Sequence, residues 1–183
     1  MNKINELFFA TLEQKILRSM FEEPEKQFYE KQIAIFSDVS IGGANLALDN
    51  LEKAGLVKKE IKGRMNFYRV NFGNPLVRQY TILSNLASTQ ILVEVLKLNS
   101  LKIILFGSVA EGTNLKDSDI DLFIVTNQTE AIEKAIEKQK GVKIQAVIKN
   151  PLEAEKMISG NETLWQEIER GIVLYERKEE NES

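Results

Sequence analysis

The chain has 183 residues, a net charge of −3 at pH 7, and neither cysteine nor histidine. These absences exclude disulfides, thiol nucleophiles, zinc sites built from Cys and His, and any Ser-His-Asp triad. The length allows one large domain or two small ones, and no apolar run approaches the length of a membrane span. We therefore expect a cytoplasmic protein without membrane contacts, in which any metal is held by oxygen ligands.

Residues 1–75 have the pattern of three helices followed by two strands. The first helix is predicted from an apolar stripe that consists of Leu12, Ile16, Leu17 and Met20. Pro24 follows the end of this stripe, as expected after a helix. A second helix is predicted over residues 29–36, with Ile33 and Phe36 facing inward.

The third helix and the strands have clear boundary signals. Ser40 is predicted as the N-cap, and the helix is predicted to end near Ala54, before the C′ residue Gly55. Its core positions are predicted to be Ala44, Leu48 and Leu51. Two strands, over residues 56–61 and 65–70, are then predicted around a turn of Lys62, Gly63 and Arg64.

Two segments of this half carry a family resemblance. Leu-Asp-Asn-Leu-Glu-Lys-Ala-Gly-Leu-Val at 48–57 and Gly-Arg-x-x-x-Tyr at 63–68 resemble the winged helix-turn-helix domains of prokaryotic transcription regulators. The resemblance spans roughly residues 8–73 and implies an α+β winged helix that binds double-stranded DNA.

The resemblance places the third helix in the major groove of DNA. Near its start, Asn45 alone offers the donor and acceptor edge that adenine favours. Clustered hairpin cations suit phosphate contacts, and they outnumber the single acid Glu60. These cations are Lys58, Lys59, Lys62, Arg64 and Arg69. The alternative is a winged helix used for protein contact or dimerisation, with an ordinary solvated lysine face.

A connecting helix is predicted over residues 76–98. Its apolar residues are too many for one stripe, which favours burial on more than one side and a homodimer as one way to provide it. Capping residues at 84–85 and 88–89 allow a break in this helix.

Residues 105–122 combine a phosphate-binding pattern with paired carboxylates. After an apolar strand, Gly107 and Ser108 form a turn that opens a short helix, and a second strand begins with Asp119 and Asp121. Unpaired N–H groups in the first turn of a helix attract phosphate oxygens, and glycine lets a phosphate approach the backbone. Residues i and i+2 of a strand share a face, so the two carboxylates project together and suit Mg²⁺. The pattern indicates metal-assisted chemistry on a nucleotide.

Gly107-Ser108 followed by Asp119-Ile120-Asp121-Leu122 resembles the DNA-polymerase-β-like nucleotidyltransferase superfamily, and within it the minimal nucleotidyltransferases. The resemblance covers roughly residues 100–176. It implies Mg²⁺ or Mn²⁺ and a nucleoside triphosphate, with Gly107 and Ser108 on the phosphates. Asp119 and Asp121 are implied as the metal ligands and catalytic carboxylates.

One position departs from the family pattern. Active members supply a third carboxylate from a neighbouring strand, and Gln145 stands where the resemblance places it. A neutral amide cannot accept a proton from an attacking hydroxyl and is a poorer Mg²⁺ ligand than a carboxylate. Glu153, on the next predicted helix, is the alternative third acid.

The remaining pattern alternates strands and helices. A strand through Val125, a helix at 130–139, a strand at 142–148 and two helices from Pro151 and at 162–170 indicate a mixed sheet with packed helices. Trp165 is predicted to lie in the core.

We therefore expect an α/β protein of two domains. The winged helix occupies residues 1–75, the connecting helix 76–100, the nucleotidyltransferase-like domain 101–177, and a disordered tail 178–183. Two functions remain open. One is a transcription regulator whose transferase-like domain binds Mg-nucleoside triphosphate without efficient catalysis, which Gln145 favours. The other is an active nucleotidyltransferase that transfers a nucleoside monophosphate to a protein, nucleic acid or small acceptor.

Overall fold

The computed structural model describes residues 3–160 and 163–177. The chain divides into two compact units, with the division between Ala87 and Ser88. The predicted tail over residues 178–183 lies outside the described residues.

The described part of the N-terminal unit contains four complete helices, the first part of a fifth, and a small antiparallel sheet. The helices are α1 (Lys3–Phe8), α2 (Leu12–Phe21), α3 (Glu30–Phe36) and α4 (Ile41–Lys53). The strands are β1 (Phe28–Tyr29), β2 (Val57–Lys62) and β3 (Met65–Val70), arranged in the order β1-β3-β2. The helices α2 to α4 and the β2–β3 hairpin agree with the predicted winged helix, whereas α1 and β1 were not predicted.

Side-chain caps set the helix boundaries of this unit. The Thr11 hydroxyl accepts a hydrogen bond from the Gln14 N–H at 3.3 Å, and the Gln14 amide oxygen accepts one from the Thr11 N–H at 3.0 Å. At α4 the predicted N-cap is confirmed, because the Ser40 hydroxyl accepts from the Gly43 N–H at 3.1 Å. Gly55, at φ +70°, follows the end of α4 as predicted.

The core of the N-terminal unit lies between α2, α3, α4 and the sheet, and it includes the predicted core residues Ile16, Leu17, Met20, Ile33, Ala44, Leu48 and Leu51. Two predicted core residues lie at its border instead. Leu12 is 38% exposed because it is the first residue of α2. Phe36 is also 38% exposed because it ends α3, where its ring stacks on Phe28 at 5.5 Å between centroids.

The predicted connecting helix is found as α5 (Pro75–Leu96), followed by a 3-10 turn over Lys97–Asn99. It has no break at either of the allowed positions. Within the single chain, two of its apolar residues, Ile91 and Leu98, are 65% and 70% exposed, so their burial by a second subunit stays a prediction.

The C-terminal unit is built around a mixed four-stranded sheet. Its elements are β4 (Lys102–Phe106), α6 (Gly107–Glu111), β5 (Ile120–Val125), α7 (Thr129–Glu137), β6 (Ile144–Lys149), α8 (Pro151–Ser159), α9 (Thr163–Glu169) and β7 (Ile172–Glu176). The sheet order is β6-β5-β4-β7. Strand β4 is antiparallel to β5 and β7, and β5 is parallel to β6. The predicted mixed sheet with packed helices is confirmed.

Helices α8 and α9 cover part of this sheet. Met157 and Ile168 are buried with Phe123 in one apolar cluster. Trp165 packs against the same cluster, with its ring edge-to-face to Phe123 at 5.7 Å between centroids. The prediction that Trp165 is a core residue is confirmed. None of the described helices is long and apolar enough to cross a membrane.

Candidate functional site

The β4–α6 connection places Gly107 and Ser108 at one end of the sheet. Strand β4 is buried, and its last residue, Phe106, is directly followed by Gly107 at φ +68°. A Cβ atom at this position would lie 2.3 Å from Oδ2 of Asp121. Glycine is therefore required here both by the backbone conformation and by the neighbouring carboxylate. The Ser108 hydroxyl has no hydrogen-bond partner in the described part of the chain.

Strand β5 brings the two predicted carboxylates to this turn. Asp121 pairs with Phe106 in the antiparallel register, and Asp119 immediately precedes the strand. Burial raises the pKa of Asp121, and the negative charges of Asp119 and Glu167 raise it further. The turn and both carboxylates therefore form one small, negatively charged cluster.

Gln145 completes this cluster from the parallel strand β6. It is the register partner of Asp121, and its Nε2 donates a hydrogen bond to Oδ2 of Asp119 at 2.7 Å. Gln145 therefore lies beside the carboxylates, as the sequence predicted. The amide forms a hydrogen bond to one carboxylate oxygen of Asp119. It adds no negative charge to the cluster, and it is a much weaker base than a carboxylate.

Glu153 does not supply the missing carboxylate. It is the third residue of α8, and its Oε2 accepts a hydrogen bond from the Asn150 N–H at 3.0 Å. In return, Oδ1 of Asn150 accepts from the Glu153 N–H at 3.0 Å. The capping box is a structural reason for an acid at position 153, so Glu153 needs no role at the candidate site.

Glu167 is the residue that the sequence reasoning missed. It lies on the exposed side of α9, and its charge acts on Asp121. No motif marks it, because three elements separate α9 from β5 in the chain and α9 lies outside the Gly-Ser and Asp-x-Asp pattern. Among residues 3–160 and 163–177, no three Asp, Glu, His or Cys side chains form a cluster that could hold a metal ion.

The predicted DNA-contacting residues lie in the N-terminal unit on two separate elements. Asn45 is on the exposed face of α4, beside Leu46, which is 65% exposed, and Asp49. This face thus combines one base-reading amide with an apolar and an acidic residue.

The hairpin cations fall into two groups. Lys59 lies 3.8 Å from Glu52, and Lys62 lies 3.4 Å from Glu60. Lys62 also donates a hydrogen bond to Oε1 of Gln27 at 2.6 Å. Two further predicted cations, Lys58 and Arg64, are exposed and have no ion pair with any described residue.

Comparison with known protein families identifies a match in the C-terminal part of the chain. Residues 89–167 match the model described as "Nucleotidyltransferase domain". The C-terminal part of the chain carries a nucleotidyltransferase-like domain. The matched segment contains the Gly107–Ser108 turn, both carboxylates and Gln145.

Among solved structures, the chain is similar to a transcriptional regulator of the MarR family from Silicibacter pomeroyi. The identity is 16% and the TM-score 0.38, and the alignment covers 48% of this chain and 61% of that chain. The chain thus spans less than two thirds of that regulator. No curated protein matches the sequence.

Proposed function

We propose that the nucleotidyltransferase-like domain binds a nucleoside triphosphate together with Mg²⁺ or Mn²⁺ and does not efficiently transfer the nucleoside monophosphate. The observation that carries this proposal is the hydrogen bond from Gln145 to Asp119. It puts an amide where an active site of this class needs a carboxylate.

The residues present fit the binding of a metal-nucleotide complex. The N–H groups of the turn at Gly107 and the hydroxyl of Ser108 would hold phosphate oxygens. Asp119 and Asp121 would supply carboxylate ligands, and a bound divalent ion would offset the charge of the phosphates. The close approach of Asp121 to Gly107 supports this fit, because it places a carboxylate directly beside the phosphate-binding turn.

The same residues argue against efficient transfer. The attacking hydroxyl of an acceptor must lose a proton, and a positioned general base typically contributes roughly 10²–10⁴-fold to the rate. Gln145 cannot accept that proton, and its N–H occupies one oxygen of Asp119.

An active nucleotidyltransferase is the second candidate function. Glu167 supports it, because it is a carboxylate on a different element, α9, and its negative charge contributes to the raised pKa of Asp121. In such an enzyme the acceptor would be a protein, a nucleic acid or a small molecule.

Calorimetric titration with each of the four ribonucleoside triphosphates, with and without Mg²⁺, tests the binding proposal. Binding that requires Mg²⁺ supports it, and the absence of binding for all four contradicts it. Mass analysis of the protein and of added acceptors after incubation then separates the two candidates. A transferred nucleoside monophosphate supports the active enzyme.

For the N-terminal unit we propose binding of double-stranded DNA in a regulatory role. The support comes from Lys58 and Arg64, which are exposed and free of described ion pairs, and from Asn45 on the exposed face of α4. A homodimer is part of this proposal, since one such module buries little area on DNA. The exposed Ile91 and Leu98 offer apolar surface for it.

Fluorescence anisotropy with promoter-region duplexes over a salt series, combined with light scattering, tests DNA binding. We expect a dimer whose affinity falls steeply with salt. Asn45→Ala should weaken binding to a preferred site by about 1–3 kcal/mol and barely change binding to random DNA. A monomer without DNA affinity at low salt would instead favour a protein-contact module.

A further inference from the structure

A cleft in the N-terminal unit is separate from the elements predicted to contact DNA. Its volume is about 600 Å³, and it lies between α1, one face of α2, and the turn that follows α3. Its lining includes Phe9, Lys15, Arg18, Glu22, Ser37 and Asp38. Sites for small molecules in proteins have volumes of roughly 300–1,000 Å³, so the cleft has the size of a ligand site.

Ser37 contributes an unsatisfied polar group to the wall of this cleft. Its side chain is 8% exposed, and its hydroxyl oxygen is buried without a hydrogen-bond partner among the described residues. The Ser37 backbone is satisfied, because its N–H donates to the carbonyl oxygen of Ile33 at 2.9 Å. A buried hydroxyl without a partner destabilises a fold, and a hydroxyl can rotate to meet a polar group that enters the cleft.

Asp38 is held beside Ser37 in an unusual conformation. In the described part of the chain it is the one residue other than glycine with a positive φ, at +53°. Aspartate tolerates this region better than most residues, but it still costs stability. Asp38 forms no ion pair with any described cation, although it lines a cleft that also contains Lys15 and Arg18.

The cations come from α2 and are held in place. Lys15 and Arg18 are three residues apart and therefore share a face of the helix. The Arg18 guanidinium carbon lies 4.7 Å from the centre of the Phe9 ring, which orients the plane of the guanidinium. Neither cation is ion-paired with a described carboxylate. The edge donors of Arg18 remain free for a carboxylate, which arginine binds in a bidentate manner.

Unpaired charges of both signs define the class of ligand. A purely anionic molecule would face the carboxylates of Glu6, Glu22 and Asp38. A purely cationic one would face Lys15 and Arg18. We infer that the cleft binds a small zwitterion of the class of a free α-amino acid. The carboxylate of this ligand contacts Arg18 and Lys15, and its ammonium group contacts Asp38. A polar atom of the ligand forms the hydrogen bond that the Ser37 hydroxyl lacks.

Thermal unfolding of the full-length chain with each of the twenty free L-amino acids at millimolar concentration tests the inference. We expect at least one of them to raise Tm by roughly 2–8 °C in a saturable way. Its N-acetyl derivative lacks the ammonium group, and its C-terminal amide lacks the carboxylate. Both blocked forms should give no shift. No shift with any amino acid, or equal shifts with the blocked forms, would overturn the inference.

Two conservative variants locate the site by calorimetry with the amino acid that gives the largest shift. Ser37→Ala should raise Tm of the free protein, because it removes the unpaired hydroxyl, and weaken ligand binding roughly 5–10-fold. Asp38→Asn keeps a residue suited to the positive φ and removes the charge, so it should weaken binding at least about 10-fold. Lys31→Gln, on the exposed part of α3, serves as the control and should bind normally. Unchanged affinity in both cleft variants would place the ligand elsewhere and overturn the inference.

Discussion

In the C-terminal unit, three adjacent strands bring the candidate site to one end of the sheet, because Gly107 directly follows β4, Asp121 is in β5 and Gln145 is in β6. In the N-terminal unit, the predicted contact residues lie on an exposed helix face and a hairpin, and part of them are ion-paired. The register of adjacent strands thus brings the site residues of the C-terminal unit close together. The exposed residues of α4 and the hairpin are instead spread over the surface of the N-terminal unit. A substitution in the C-terminal unit should therefore have a sharp, local effect, and one in the N-terminal unit a graded effect.

The largest expected effect comes from restoring the third acid. Gln145→Asp replaces the amide beside Asp119 by a group that can accept a proton. If Gln145 limits transfer, the rate of nucleotide transfer should rise, with roughly 10²–10⁴-fold as the upper bound. The measurement is single-turnover transfer followed by mass analysis. Gln145→Asn, which keeps the amide, is the control and should show no gain. Robust transfer by the unmodified protein would show that a group other than Gln145 serves as the proton acceptor.

Removing both carboxylate charges should abolish metal-dependent nucleotide binding. In Asp119→Asn with Asp121→Asn, both metal ligands become neutral amides, so calorimetry should give the same weak or absent binding with and without Mg²⁺. The double variant Glu133→Gln with Glu137→Gln removes two exposed charges from α7 and should bind normally. The site assignment is wrong if affinity in the first variant is unchanged.

Comparing Gly107→Ala with Gly141→Ala should separate the effect of the close approach of Asp121 to Gly107 from the effect of backbone strain. Gly107 and Gly141 have φ values of +68° and +80°, but a Cβ on Gly141 meets no atom within 4 Å. We expect Gly141→Ala to lower the free energy of unfolding by about 1–2 kcal/mol. Gly107→Ala adds the overlap with Asp121 and should lower it by about 2–5 kcal/mol.

Trp165, the single tryptophan, lies in the C-terminal unit, so its fluorescence during urea unfolding reports the stability of that unit. Equal losses in the Gly107 and Gly141 variants would show that Asp121 does not lie against the turn.

The smallest effects should come from the hairpin cations. Lys58→Ala with Arg64→Ala removes two unpaired cations and should reduce the slope of log affinity against log salt by up to about two. Lys59→Ala with Lys62→Ala should reduce it less, because their side chains already lie near Glu52 and Glu60. Anisotropy with one duplex at several salt concentrations compares the two variants. The same slope for both would contradict the division of these cations into two groups.

Much of this architecture could be predicted from the sequence, because periodicity and caps are local. The N-cap Ser40, the C′ glycine Gly55 and the strands β2 and β3 follow from such signals. The two-residue strand β1 and the six-residue helix α1 could not be predicted, since both are too short to show a clear period. The inward position of Phe36 was wrong, because a stripe does not reveal where the end of a helix meets solvent.

The part of the candidate nucleotide site that belongs to one continuous sequence motif could be predicted. Gly107, Ser108, Asp119 and Asp121 lie on adjacent strands and their connection, and Gln145 follows on the next strand. The 2.7 Å hydrogen bond from Gln145 to Asp119 needed the parallel register of β5 and β6, which the sequence does not encode locally. The influence of Glu167 needed the three-dimensional position of α9.

The central claim is that the site built on Gly107, Asp119 and Asp121 binds Mg-nucleotide without efficient transfer. One measurement follows both events in the same sample. The protein is incubated with Mg²⁺ and a nucleoside triphosphate labelled at the α-phosphate, and the retained label is analysed after addition of EDTA. We predict retention that requires Mg²⁺, with the label released as intact triphosphate. Absence of retained label, or label bonded covalently to an acceptor, would contradict the claim.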